Sequence, residues 1–178
     1  ARLWPNYSTD YAGLIGFARE HHVPVVATNV PRRYATAVKD HGIAYLDSFS
    51  TEAKSYMAPL PIHFQSNENV EQGFALMGMM GKNKNADPHR IAEAQAIKDA
   101  TMAWRIAQNL PGKLIHFNGN FHSDSREGII PYLLTYKPGV RYVVVRAVRQ
   151  EDISHLDEAY QGIADYYICV PEDMTTSY

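Results

Sequence analysis

A chain of 178 residues and 20.1 kDa is long enough to bury roughly two thirds of its unfolded surface, so folding needs no disulfide or structural metal. With 46% hydrophobic and 20% charged residues the composition is that of a globular protein, which excludes wholesale disorder. A formal net charge of -2 leaves no field to attract nucleic acid or an anionic membrane surface, so neither is expected as a partner.

In chain order, Ser8, Thr9 and Asp10 can cap a helix over 8–21, whose Tyr11, Leu14, Ile15 and Ala18 fall at helical spacing. Val23 to Thr28 is a short β-branched run with the continuous apolar character of a buried parallel strand. Asn29-Val30-Pro31 turns the chain into a second helix from Arg32 to His41, ended by Gly42. Residues 50–90 carry no strand signal; Pro59, Pro61, several Asn and the Met77, Met79 and Met80 cluster point to an irregular, partly helical cap. A long helix follows from Pro88 to Asn109. Its Ala92, Gln95, Ala96, Asp99, Met102, Ala103 and Ile106 share one stripe. Leu114 to Phe117 reads as another buried strand, 127–136 as a short helix, Val140 to Ala147 as a strong strand and 166–170 as a last short one.

The alternation predicts one α/β domain over 1–178: a mostly parallel sheet flanked by helices, with 50–90 as a small helical cap insertion. Ligands in such sheets gather beyond the carboxyl ends of the strands. Two loops sit there. In the first, Asn29, Arg32 and Arg33 precede Tyr34, and two guanidiniums near a helix N-terminus suit a carboxylate. A phenol beside arginines can also become tyrosinate, a hard anionic ligand for ferric iron, which makes Tyr34 a metal candidate. The alternative is a solvated basic turn with Tyr34 in the core.

The second loop, Asn118-Gly119-Asn120-Phe121-His122, places two amides and an imidazole on a tight turn, where His122 can ligate iron or meet a carboxylate. Its plainer reading is a helix-capping turn. The cap adds Tyr56 as a second tyrosine candidate, His89 as a second histidine, and Lys54 and Lys82 as cations for carboxylates. Its methionines suit a flat apolar macrocycle but equally a core or dimer interface. His116, inside a strand, reads as a satisfied core group, and the lone Cys169 as a buried structural thiol. No H-E-x-x-H, G-x-S-x-G or phosphate-loop motif is present.

Three ordered segments, V-V-A-T-N-V-P-R-R-Y-A (25–35), A-E-A-Q-A-I-K-D-A-T-M-A (92–103) and H-F-N-G-N-F-H-S-D (116–124), resemble the ChaN-like haem-binding lipoproteins of the Tiki superfamily. The resemblance implies haem held as a cofacial pair at a homodimer interface. In it a tyrosine binds each iron, and a histidine and a lysine of the other subunit reach the propionates. Tyr34 and Tyr56, His122 and His89, and Lys54 and Lys82 are the candidates for these roles, with Asn29, Arg33 and Asn120 beside them. It further implies iron acquisition without catalysis at a bacterial cell envelope, with a lipid anchor upstream of Ala1. Family members begin with a strand ending in a G-E-x-x-H-like turn, so the resemblance also implies that the N-terminal strands of the sheet are missing from this chain. The alternatives are a hydrolase of the same superfamily, activating water with or without a metal, and a protein-interaction domain.

Overall fold

The computed structural model describes residues 3–64, 87–110 and 112–175. They belong to two compact units, Ala1–Ala27 with Val145–Tyr178 and Thr28–Val144. In the first, a single π-helical turn at Tyr7–Tyr11 runs into α1 (Ala12–Glu20). Ser8, Thr9 and Asp10 thus lie inside the turn instead of capping it. The same unit holds two parallel strands, β1 (Val145–Gln150) and β2 (Tyr166–Pro171), with Val145 opposite Tyr166 and Val148 opposite Cys169. Cys169 is half-buried, less enclosed than its apolar neighbours led us to expect.

The second unit is helical. It contains α2 (Arg32–His41), a 3₁₀ turn at Ile43–Ser48, α3 (Thr51–Lys54), α4 (Pro88–Gln108) and α5 (Ile129–Tyr136). α4 starts cleanly because Asp87 Oδ1 accepts from the backbone N–H of His89 and Pro88 occupies the first turn, where no donor is needed. It is buried well beyond one stripe. α2 packs on one side and α5 on another, so Ala92, Ala96 and Asp99 are enclosed together with Ala94, Ile97 and Ala100. Small alanines let both partner helices approach closely. Two apolar clusters result: Val30, Tyr34, Val38, Leu46 and Met57 lie with Ile97, while Met102, Ala103 and Ile106 lie with Ile129 and Leu133. Tyr132 and Tyr136 of α5 pack against both.

The described part of the expected cap is α3 followed by an irregular stretch whose Met57, Ala58 and Ile62 are buried in the first cluster. The Thr101 hydroxyl anchors this stretch. It donates to Ile97 O at 2.7 Å and accepts from Ala58 N at 3.2 Å, and Thr101 has no exposed surface. Met77, Met79, Met80 and Lys82 lie outside the described residues.

The sheet differs from the expectation. Val23 to Thr28 and Leu114 to Phe117 are extended but join no ladder among the described residues. Val23, Val25, Ile115 and Phe117 are more than half exposed, so these runs are not enclosed strands. The strand expected at 140–147 forms its ladder later, at 145–150, because only there does it meet β2. A β-branched run sets the extended backbone, but burial and pairing come from neighbours far along the chain. No described helix is long and apolar enough to cross a membrane.

Thr101→Val keeps the shape of the side chain and removes the acceptor for Ala58 N–H. Urea unfolding of this variant is expected to show a loss of about 1–3 kcal/mol with an unchanged denaturant slope.

Candidate functional site

The turn that follows Leu114 to Phe117 is fastened to α4 by one pair. A carboxylate only accepts, so His122 Nδ1 donates to Asp99 Oδ1, at 2.5 Å. The Asp99 side chain is 6% exposed and that of His122 18%. Burial pushes the Asp99 carboxyl above its ordinary value, and the bond from His122 pulls it back. A bare carboxylate at this depth would be costly, so the imidazole is what makes Asp99 tolerable on the packed face of α4.

The backbone of the turn is shaped around His122. A Cβ on Gly128, at φ +59°, would stand 2.5 Å from the His122 carbonyl oxygen, so only glycine fits. Ser125 and Arg126 also adopt left-handed φ, at 56° and 61°. Such conformations persist in non-glycine residues where the surroundings over-determine them.

A second histidine braces the turn from behind. His116 Nδ1 meets Asn118 Oδ1 at 3.1 Å, and Nε2 meets Thr28 Oγ1 at 2.8 Å. The Asn118 amide donates in turn to Gly119 O and to Ser123 Oγ. Burial lowers the His116 pKa below its ordinary value, opposed by the Asn118 contact. Both ring nitrogens of His116 are thus satisfied, as expected, but the residue is only partly buried and lies on an extended segment outside any described ladder rather than in the core.

Beside this network lies a cavity of about 580 Å³. Pro59, Leu60, Pro61, Phe64, Phe121 and Pro131 supply apolar wall. Asp99, Gln95 and Glu127 bring polar groups, and α5 contributes two phenols one turn apart, Tyr132 and Tyr136. Burial drives the Tyr132 phenol far above its ordinary range, and the nearby Asp99 charge adds to the effect. Burial also raises Tyr136. Both therefore enter the cavity as neutral hydroxyls able to donate a hydrogen bond.

Tyr34, Tyr56 and Arg33 come together elsewhere. Arg33 Nη2 donates to the Tyr34 hydroxyl at 3.0 Å, and its guanidinium carbon stands 4.7 Å from the Tyr34 ring centre and 5.7 Å from that of Tyr56. The two rings stack at 6.2 Å, and Phe49 meets Tyr34 edge-on at 5.5 Å. Tyr34 is 6% exposed, Tyr56 42%. Neither is among the residues lining the cavity. Of the remaining candidates, Lys54 Nζ donates to Asp47 O at 2.8 Å. His89 lies 3.7 Å from Glu93 and near the Phe64 ring. Asn29 and Asn120 are exposed, and Lys82 falls outside the described residues.

Sequence reasoning missed Asp99, Gly128, Tyr132 and Tyr136 as site residues. For Asp99 a signal was there: an acid on a largely apolar helical stripe must find a partner. The other three carry no local signal.

Two outcomes are expected. Gly128→Ala should cost more than about 1 kcal/mol in thermal or urea unfolding, since both φ and space forbid the methyl. His116 has a folded pKa below 6.5, so its contribution is complete above about pH 6.5 and is lost as pH falls through the depressed value. Unfolding curves from about pH 7.5 to pH 5 should show that loss, and His116→Gln should flatten it.

The family model described as haem-binding uptake, Tiki superfamily, ChaN matches residues 1–133, which takes in both histidine contacts and the first turn of α5. No curated protein and no solved structure gives a significant match. The match spans about three quarters of the 178 residues, and the chain belongs to the ChaN family of haem-binding uptake proteins in the Tiki superfamily.

Proposed function

We propose that this protein binds ferric haem for bacterial iron acquisition, as a homodimer at the cell envelope, and performs no chemistry on it. The observation that carries the reading is the cavity of about 580 Å³ in a chain of this family, walled by proline, phenylalanine and alanine. Its size lies within the ~300–1,000 Å³ typical of sites for small organic ligands. A flat macrocycle needs apolar walls to exclude water and a few polar groups to set its orientation, and Gln95, Tyr132 and Tyr136 are of that kind.

The iron needs an anionic oxygen, and in this reading a tyrosine provides it. Of the two candidates, neither of which lines the cavity, Tyr56 is the accessible one, at 42% exposed, with the Arg33 guanidinium carbon 5.7 Å from its ring centre. Tyr34 is enclosed, and its hydroxyl already accepts from Arg33. Arg33 and Lys54 are cations available to carboxylates, and His89 and Asn120 are further polar contacts in the same proposal.

Titration of the purified chain with ferric haem should give a saturable Soret shift and, by size exclusion, a dimer. Tyr56→Phe is expected to remove the tyrosinate charge-transfer band and weaken binding roughly tenfold or more, about 1.4 kcal/mol, with Tyr34→Phe having the smaller effect. A shift no larger than that given by an unrelated protein would overturn the reading.

A further inference from the structure

β1 and β2 form a parallel sheet with one closed face and one open face. Val148 and Gln150 are buried on the first, with Arg146, Tyr167 and Cys169 half-buried beside them. On the second, the register sets Val145 opposite Tyr166 and Ala147 opposite Ile168. Val145, Tyr166 and Ile168 are 55%, 64% and 57% exposed. Parallel sheets are ordinarily covered on both faces, and a pair of strands gains too little from its own hydrogen bonds to stand alone. Neither apolar cluster has a member in this unit, so the sheet draws on no core of its own among the described residues.

The charge around the open face has one sign. From Glu151 to Asp173 the chain carries seven carboxylates and no lysine or arginine, so any charged occupant must be basic. Glu151 and Asp152 follow β1, and Glu172 and Asp173 follow β2. Four acids, all exposed, therefore gather at the carboxyl end of the sheet, where Glu172 N donates to Gln150 O. Arg149, which the alternation places on the open face, commits Nη2 to Glu172 O and Met174 O. His155 lies 3.4 Å from Asp152 and is charged only when protonated.

We propose that the open face of β1 and β2 docks an amphipathic helix of a partner protein. Its apolar side meets Val145, Ala147, Tyr166 and Ile168, and its lysine- or arginine-rich end lies over Glu151, Asp152, Glu172 and Asp173. Helices are what cover parallel sheets, and two strands ~4.8 Å apart present a strip about as wide as one helix, ~10 Å across. The carboxylates repel phosphate, which sets aside nucleic acid and anionic lipid. A second copy of this face brings the same acids and no compensating cation. None of these residues lines the cavity, and docking here requires no haem.

The probe is a short synthetic amphipathic helix of leucine, alanine and lysine, titrated into the nitrogen-15-labelled full chain. Saturable amide shifts are expected at Val145, Ala147, Tyr166 and Ile168, with affinity falling roughly tenfold or more from low to high salt. Tyr166→Thr with Ile168→Thr keeps strand propensity and should weaken binding by a similar factor. Glu172→Gln with Asp173→Asn leaves the backbone contacts in place; it should weaken binding and remove much of the salt dependence. The same helix with glutamate for lysine, or with serine for leucine, should not bind. Equal binding by either control, shifts that spare these four amides, or no saturable shift would overturn the proposal. So would broadening of the same amides that grows with protein concentration in the absence of peptide, because a second copy would then be the occupant.

Discussion

A carboxylate on the packed face of α4 has to be matched, and Asp99 is matched by His122 across 2.5 Å. Much of the second unit is organised by that requirement. The pair draws the turn after Leu114–Phe117 down onto the long helix. It thereby sets where Phe121, Glu127 and Gly128 stand at the cavity, and where α5 begins. Losing one partner leaves the other enclosed without its counter-group, the condition under which buried ion pairs become strongly destabilising. The pair is thus a constraint on structure and on chemistry together, since the same bond that makes Asp99 tolerable orients the imidazole.

The alanine content of α4 complements this constraint. Ala92, Ala94, Ala96, Ala100 and Ala103 are all buried, and their small side chains admit α2 and α5 at close range. Close packing then carries the polar groups that must be placed accurately: Thr101, which holds Ala58 and the irregular stretch after α3, and Asp99, which holds the turn. One helix therefore positions two sides of the cavity, the Pro59–Phe64 stretch and the Phe121–Gly128 turn.

Tyrosines occur in two separate settings. Those in the cavity, Tyr132 and Tyr136, are desolvated, and Asp99 adds negative charge near the first, so they remain neutral donors. Tyr56 is 42% exposed and stacks on Tyr34 with a guanidinium beside its ring. Residue type alone does not separate these settings; the degree of burial and the neighbouring groups do.

By itself the sequence determined the periodic and local features: α2 from Arg32 to His41, α4 beginning at Pro88, a last short strand at 166–170, found at 166–171, and the turn carrying His122. Three ordered segments were also enough to mark the family. These are legible because capping, helical spacing and turn chemistry act within a few residues. Tertiary structure decided the rest. It left Val23–Thr28 and Leu114–Phe117 extended but outside any described ladder, although both read as buried strands. It joined Asp99 to His122 across 23 positions, Thr28 to His116 across 88, and required glycine at 128 because the His122 carbonyl lies there. Pairing, burial and pKa shifts depend on which distant groups arrive beside a residue, and no window of neighbouring sequence holds that information.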